Sequence, residues 1–141
     1  MAPQPLRVVV AEDEPDTREY LVELLARRGF RASGVEGGRE LVEACRAAPP
    51  DLVIADVRMP GLDGVAAAEA VTRERPVPFI LLSGHYDEAL LARVPADHIM
   101  AYLIKPVHEP DLHAAIALAL ARFREQRALE EGRPGGRPQG S

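Results

Sequence analysis

Short apolar runs alternate along this chain with longer stretches of helical period. LRVVVA (6–11), RASGV (31–35), DLVIAD (51–56), FILLS (79–83) and MAYLI (100–104) predict five strands. Between them, apolar residues recur at the spacing of one helix face. Leu21, Leu24 and Leu25 precede Gly29, a left-handed helix cap, and Leu41, Cys45 and Ala48 precede Pro49 and Pro50, which stop the second helix. Each helix therefore bridges two strands. The first, third and fourth runs are apolar almost throughout, which suits a central parallel sheet with helices on both faces. The prediction is an α/β fold: a (βα)5 doubly wound domain. Residues 111–131, DLHAAIALALARFREQRALEE, read as a long last helix with Leu112, Ile116, Ala119, Leu120 and Phe123 as its core stripe.

Size and charge narrow the picture. A chain of 141 residues with 47% hydrophobic composition is one domain's worth of material. We assign residues 1–131 to that domain and expect the Gly/Pro-rich tail GRPGGRPQGS (132–141) to be disordered. A formal charge of −5 and a pI near 5.4 lack the surplus of Lys and Arg that non-specific binding to nucleic acid or an anionic membrane needs, so a protein or small-molecule partner is expected. The single cysteine, Cys45, cannot form an internal disulfide and shares the apolar stripe of its helix. With no signal sequence in MAPQPLR and no apolar run near the roughly 20 residues that span a bilayer, the expectation is a soluble, cytoplasmic protein.

In parallel α/β sheets, ligands sit beyond the carboxyl ends of the strands. Here the runs end in chemistry. The first leads to Glu12 and Asp13, the third ends in Asp56, the fourth in Ser83, and the fifth leads into Lys105 and Pro106. Three carboxylates brought together repel by about 4 kcal/mol per pair at 4 Å and an effective dielectric of 20. A hard divalent cation offsets this, and all-oxygen donors favour Mg²⁺. One carboxylate is then free to act as a nucleophile toward phosphorus. Lys105 and Ser83 supply the positive charge and hydroxyl donor that a transferring phosphoryl group needs. In the stretch DVRMPGLDG, Pro60 stiffens the loop after Asp56, while Gly61 and Gly64 permit a turn and a close approach of backbone.

Glu12-Asp13, Asp56 within DVRMPGLDG, Ser83-Gly84, Tyr102 and Lys105-Pro106 together resemble the receiver domain of two-component response regulators. The resemblance covers about residues 6–124 and implies the flavodoxin-like strand order 2-1-3-4-5. It further implies that Asp56 accepts a phosphoryl group from a histidine kinase, a phosphotransfer protein or a small phosphodonor. Glu12, Asp13, Asp56 and the backbone carbonyl of Arg58 would hold Mg²⁺, and Lys105 would pair with the acids and then with the phosphoryl group. Ser83 and Tyr102 would be the switch residues, acting on the face formed by the fourth helix, fifth strand and fifth helix. That face is the expected output surface for a downstream protein and a candidate homodimer contact. The peptide bond before Pro106 is expected to be cis. Arg58 and His85, each two residues beyond a site residue, are candidate modulators of the phosphoryl lifetime.

Each of these residues has a plainer reading. A lone Asp at a strand end is ordinarily a solvated cap, Glu12 alone could be a surface acid, Tyr102 alone ordinary half-buried packing, and Arg58 and His85 solvent-exposed loop residues. His98, His108 and His113 show no metal-ligand spacing, and no GxGxxG or GxxxxGKS loop is present. AYLIKP with LALARFREQRALE is similar to receivers that precede RNA-binding antiterminator (ANTAR) domains. The expectation is a stand-alone receiver that passes a phosphorylation signal to a protein partner, a switch and not a turnover enzyme. Its rivals are a phosphate-independent binding module, a remnant of an RNA-binding antiterminator regulator, and a Mg²⁺-dependent phosphohydrolase. The last would carry a second acid at the position held by Arg58.

Overall fold

A computed structural model describes residues 4–84, 88, 92 and 99–131. The elements run β1 (Arg7–Ala11), α1 (Pro15–Arg27), β2 (Arg31–Val35), α2 (Gly38–Ala47), β3 (Leu52–Asp56), α3 (Gly64–Glu74), β4 (Phe79–Ser83), β5 (Ile99–Ile104) and a C-terminal helix (Glu109–Glu131). The five strands form one parallel sheet in the order β2-β1-β3-β4-β5. Apart from residues 88 and 92, which are helical, the segment expected to form a helix between the fourth and fifth strands lies outside the described residues.

Side chains alternate across the two faces of each strand, and the core divides accordingly. Val9, Ala11, Val53, Ala55, Phe79 and Leu81 pack under α2 and α3. Val8, Val10, Leu52, Ile54, Ile80 and Leu82 pack under α1 and the C-terminal helix. Both faces of β1, β3 and β4 are thus covered, which is why those runs lack polar positions. β2 is an edge strand and is largely exposed.

Local chemistry sets the helix ends. Pro15 opens α1, and the Glu14 carboxylate caps it by accepting the Thr17 N–H at 2.7 Å. That contact holds the Glu14 carboxyl below its ordinary value. Asp63 caps α3 by accepting the Ala66 N–H at 2.8 Å. Leu21, Leu24 and Leu25 are buried, and the chain leaves α1 through Gly29 at φ 92°. The stripe expected on α2 needs correction. Leu41 and Cys45 are buried with Val42, but Ala48 is the exposed C-cap, because the helix stops one residue short of it. On the C-terminal helix, Leu112, Ala115, Ile116 and Ala119 are buried, while Leu120 and Phe123 pack at the core's margin.

Candidate functional site

The sheet register brings the strand ends to one edge. Ala11 lies opposite Ala55, so Glu12 follows at the level of Asp56, which lies opposite Leu82. Ser83 lies opposite Ile104, and Lys105 comes one residue later. The Lys105 N–H donates to the Ser83 carbonyl at 2.7 Å, continuing the β4–β5 ladder into the site. The Lys105-Pro106 peptide bond is cis.

Lys105 joins the two buried acids. Its Nζ donates to Glu12 Oε1 at 2.8 Å and to Asp56 Oδ2 at 2.5 Å. Glu12 is 0% exposed and Asp56 5%, so Glu12 is no surface acid. The remaining carboxylate oxygens take backbone donors: Glu12 Oε2 accepts the Glu14 N–H and Asp56 Oδ1 the Arg58 N–H, each at 3.0 Å. Burial pushes the Glu12 carboxyl above its ordinary value, against the pull of Lys105 and the Glu14 N–H. Burial alone would lower the Lys105 pKa, but its hydrogen bonds to Asp56 and Glu12 prevail and raise it.

Asp13 is the exposed third member of the cluster. One oxygen from each of Glu12, Asp13 and Asp56 can be chosen so that all lie within 4.8 Å of one another. The donors are all hard oxygens, two held by the interior and one open to solvent. That set fits Mg²⁺, which is bound through a few carboxylates while keeping several waters. Among the described residues, no other group of His, Cys, Asp and Glu is arranged in this way.

The loop after Asp56 depends on two glycines. Gly61 adopts φ 80°, a left-handed conformation. Gly64 donates its N–H to the Val57 carbonyl at 2.9 Å, and a Cβ there would collide with the carbonyl oxygen of Asp56 itself. Ser83 is buried at the end of β4, and Tyr102 is half-buried on β5 against the core under α2 and α3. The Arg58 residue is exposed. His85 lies outside the described residues.

Sequence reasoning missed three residues around this cluster. Glu14 lends its N–H to Glu12. Arg18 Nη1 donates to the Glu12 carbonyl at 2.8 Å. The Tyr20 hydroxyl donates to the Val107 carbonyl at 3.2 Å, tying α1 to the segment after the cis bond. The only hint was Arg18, the one cation in the acidic stretch EDEPDTRE (12–19).

A five-stranded parallel sheet with an acid cluster and a lysine at its carboxyl edge defines a class of signalling domain. Residues 8–117 match the response regulator receiver domain, and the chain belongs to that family. It is 43% identical over 127 residues to the transcriptional regulatory protein PdtaR of Mycobacterium tuberculosis, covering 89% of this chain and 62% of PdtaR. It is 30% identical over 120 residues to the DNA-binding transcriptional regulator NtrC of Escherichia coli, covering 84% of this chain and 26% of NtrC. The chain thus spans less than two thirds of the length of either relative. Among solved structures, a response regulator receiver domain protein from Clostridium thermocellum matches with a TM-score of 0.75 and 28% identity, over 86% of this chain and 98% of that one. No helix among the described residues is long and apolar enough to cross a membrane.

Proposed function

We propose that this chain is a phosphoacceptor switch. Asp56 accepts a phosphoryl group from the phosphohistidine of a histidine kinase or phosphotransfer protein, and the change is read by a protein partner. The observation that carries this reading is the Asp56 carboxylate at the carboxyl end of β3, held between the Lys105 ammonium and the Arg58 N–H. An Asp56 oxygen attacks phosphorus, the P–N bond breaks, and its electron pair returns to the imidazole nitrogen, which takes up a proton. Lys105 bonds Asp56 before transfer and can follow the charge onto the phosphoryl oxygens afterwards. Glu12, Asp13, Asp56 and the Arg58 carbonyl would hold Mg²⁺, which would supply further positive charge to those oxygens. A cavity of about 560 Å³ opens beside Lys105, lined by Tyr20, Leu21, Gly84, Pro106 and His108, and gives a donor side chain a route to the site.

Ser83 and Tyr102 are the switch pair in this reading, with Ser83 bonding a phosphoryl oxygen and Tyr102 moving inward behind it. Ile104 at the end of β5 and Leu118 on the C-terminal helix are exposed apolar residues, 44% and 45% accessible, on two elements that pack together, which suits these elements to a protein contact, a second copy included. Arg58 and His85, each two positions beyond a site residue in the sequence, are in this reading the residues that set how readily water removes the group, returning the switch to rest. Turnover of an external substrate is no part of this role, nor is direct contact with nucleic acid. The buried single thiol fits a reducing, cytoplasmic setting.

The test is incubation with Mg²⁺ and acetyl phosphate, followed by intact mass. One added phosphoryl group that requires Mg²⁺ and is absent in Asp56→Asn supports the reading. No Mg²⁺ binding and no beryllofluoride binding would replace it with a phosphate-independent binding module.

A further inference from the structure

We infer that Arg18 is a positioning residue that aims Asp13 into the acid cluster, with Gly34 as the seat for its side chain. The inference rests on the Mg²⁺ site proposed above. Glu12 is held at four points. Its N–H donates to the Val35 carbonyl at 3.0 Å, its two carboxylate oxygens take Lys105 and the Glu14 N–H, and its carbonyl takes Arg18 Nη1 at 2.8 Å. The last of these bears on Asp13. A peptide unit is planar, so pinning the Glu12 carbonyl also fixes the Asp13 nitrogen and Cα, the point from which the Asp13 side chain leaves the backbone. Glu12 and Asp56 are anchored through their carboxylates, whereas exposed Asp13 depends on the backbone that carries it.

The second half of the device lies across the sheet edge. A Cβ at Gly34 would stand 2.8 Å from Arg18 Cγ and 2.9 Å from Cδ. Glycine is a poor strand residue, and inside β2 it marks a close approach by a neighbour. Here the neighbour is the aliphatic stem of Arg18, which crosses the missing Cβ on its way to the Glu12 carbonyl.

The experiment is calorimetric titration of the full unphosphorylated chain with Mg²⁺, using Arg18→Ala, Arg18→Lys, Gly34→Ala and the Arg18→Ala/Gly34→Ala double variant. Arg18→Ala weakens Mg²⁺ binding about tenfold, as loss of an outer-shell partner does, while its melting temperature in EDTA certifies the fold. Arg18→Lys, which keeps one cationic donor, binds within about threefold of wild type. Gly34→Ala weakens binding by about threefold through the displaced stem and has no further effect once Arg18 is gone. Unchanged affinity in Arg18→Ala, or a Gly34→Ala effect that persists in the double variant, overturns the inference. Should Arg18→Ala fail to fold, a Gly34→Ala affinity equal to wild type overturns it instead. Absence of Mg²⁺ binding by the wild-type chain overturns the phosphoacceptor reading and this inference with it, whereas wild-type binding with an unaffected Arg18→Ala overturns this inference alone.

Discussion

Replacing Lys105 by Met keeps most of the side-chain volume and removes the one cation that, among the described residues, is bonded to both buried acids. Glu12 and Asp56 would then face each other without it. Two charges 4.8 Å apart, the outer bound of the cluster's oxygen separation, repel by about 3.5 kcal/mol at an effective dielectric of 20. Breaking a fully buried ion pair costs about 3–5 kcal/mol. The Lys105 side chain is 25% exposed, so solvent already screens part of this, and we expect a loss of about 2–3 kcal/mol at pH 8. For a chain of this size that lowers the melting temperature by about 8 °C.

The pH dependence follows from Glu12. Burial raises its folded-state pKa above the ordinary 4.5, and Lys105 provides the largest opposing pull. Between the unfolded and folded values the native state binds more protons than the unfolded chain, so stability falls as pH rises through that window. Lys105→Met lifts the upper edge of the window, so protonation of Glu12 on the acid side of that window relieves the repulsion. Urea denaturation in EDTA from pH 5 to 8 should therefore give a smaller deficit at the acid end of the range than at pH 8. A deficit that does not change with pH, or a variant more stable than wild type at pH 8, would refute the electrostatic account.

Gly64→Ala forces a Cβ onto the Asp56 carbonyl and should cost about 2–3 kcal/mol in urea denaturation, with slower phosphorylation from acetyl phosphate because the nucleophile's own backbone must shift. Asp63→Ala removes the cap that accepts the Ala66 N–H and should cost about 1 kcal/mol by the same denaturation assay. The Cys45 thiol, pushed up to about 11 by burial, should resist a disulfide reagent at pH 8 in the folded chain and react promptly in urea. Fast labelling without urea would show that the packing of α2 around Cys45 opens readily.

Five strands, their parallel pairing and the identity of the acids, serine and lysine at the sheet edge were legible in the residue pattern. Strand boundaries fell within a residue of those expected, because a strand covered on both faces leaves no polar position inside it and the switch to chemistry marks its end. The α2 stripe was less legible. Spacing alone cannot tell whether Ala48 is the last turn of a helix or the first residue after it, and the backbone leaves the helix just there.

What only the tertiary structure decided was how the acids are held. Lys105 reaches Glu12 from 93 residues away and Asp56 from 49. No local period reports such pairings, since they depend on the sheet register that sets separate strand ends side by side. Burial of Glu12 has the same origin: a single acid after an apolar run looks alike whether the next layer is water or a neighbouring strand's lysine. Arg18 and Gly34 went unread for that reason too, one being a charge on a charged helix face and the other a glycine in a weak strand. Their shared role exists because α1 folds back over β2, a packing relation between elements that sequence spacing does not encode.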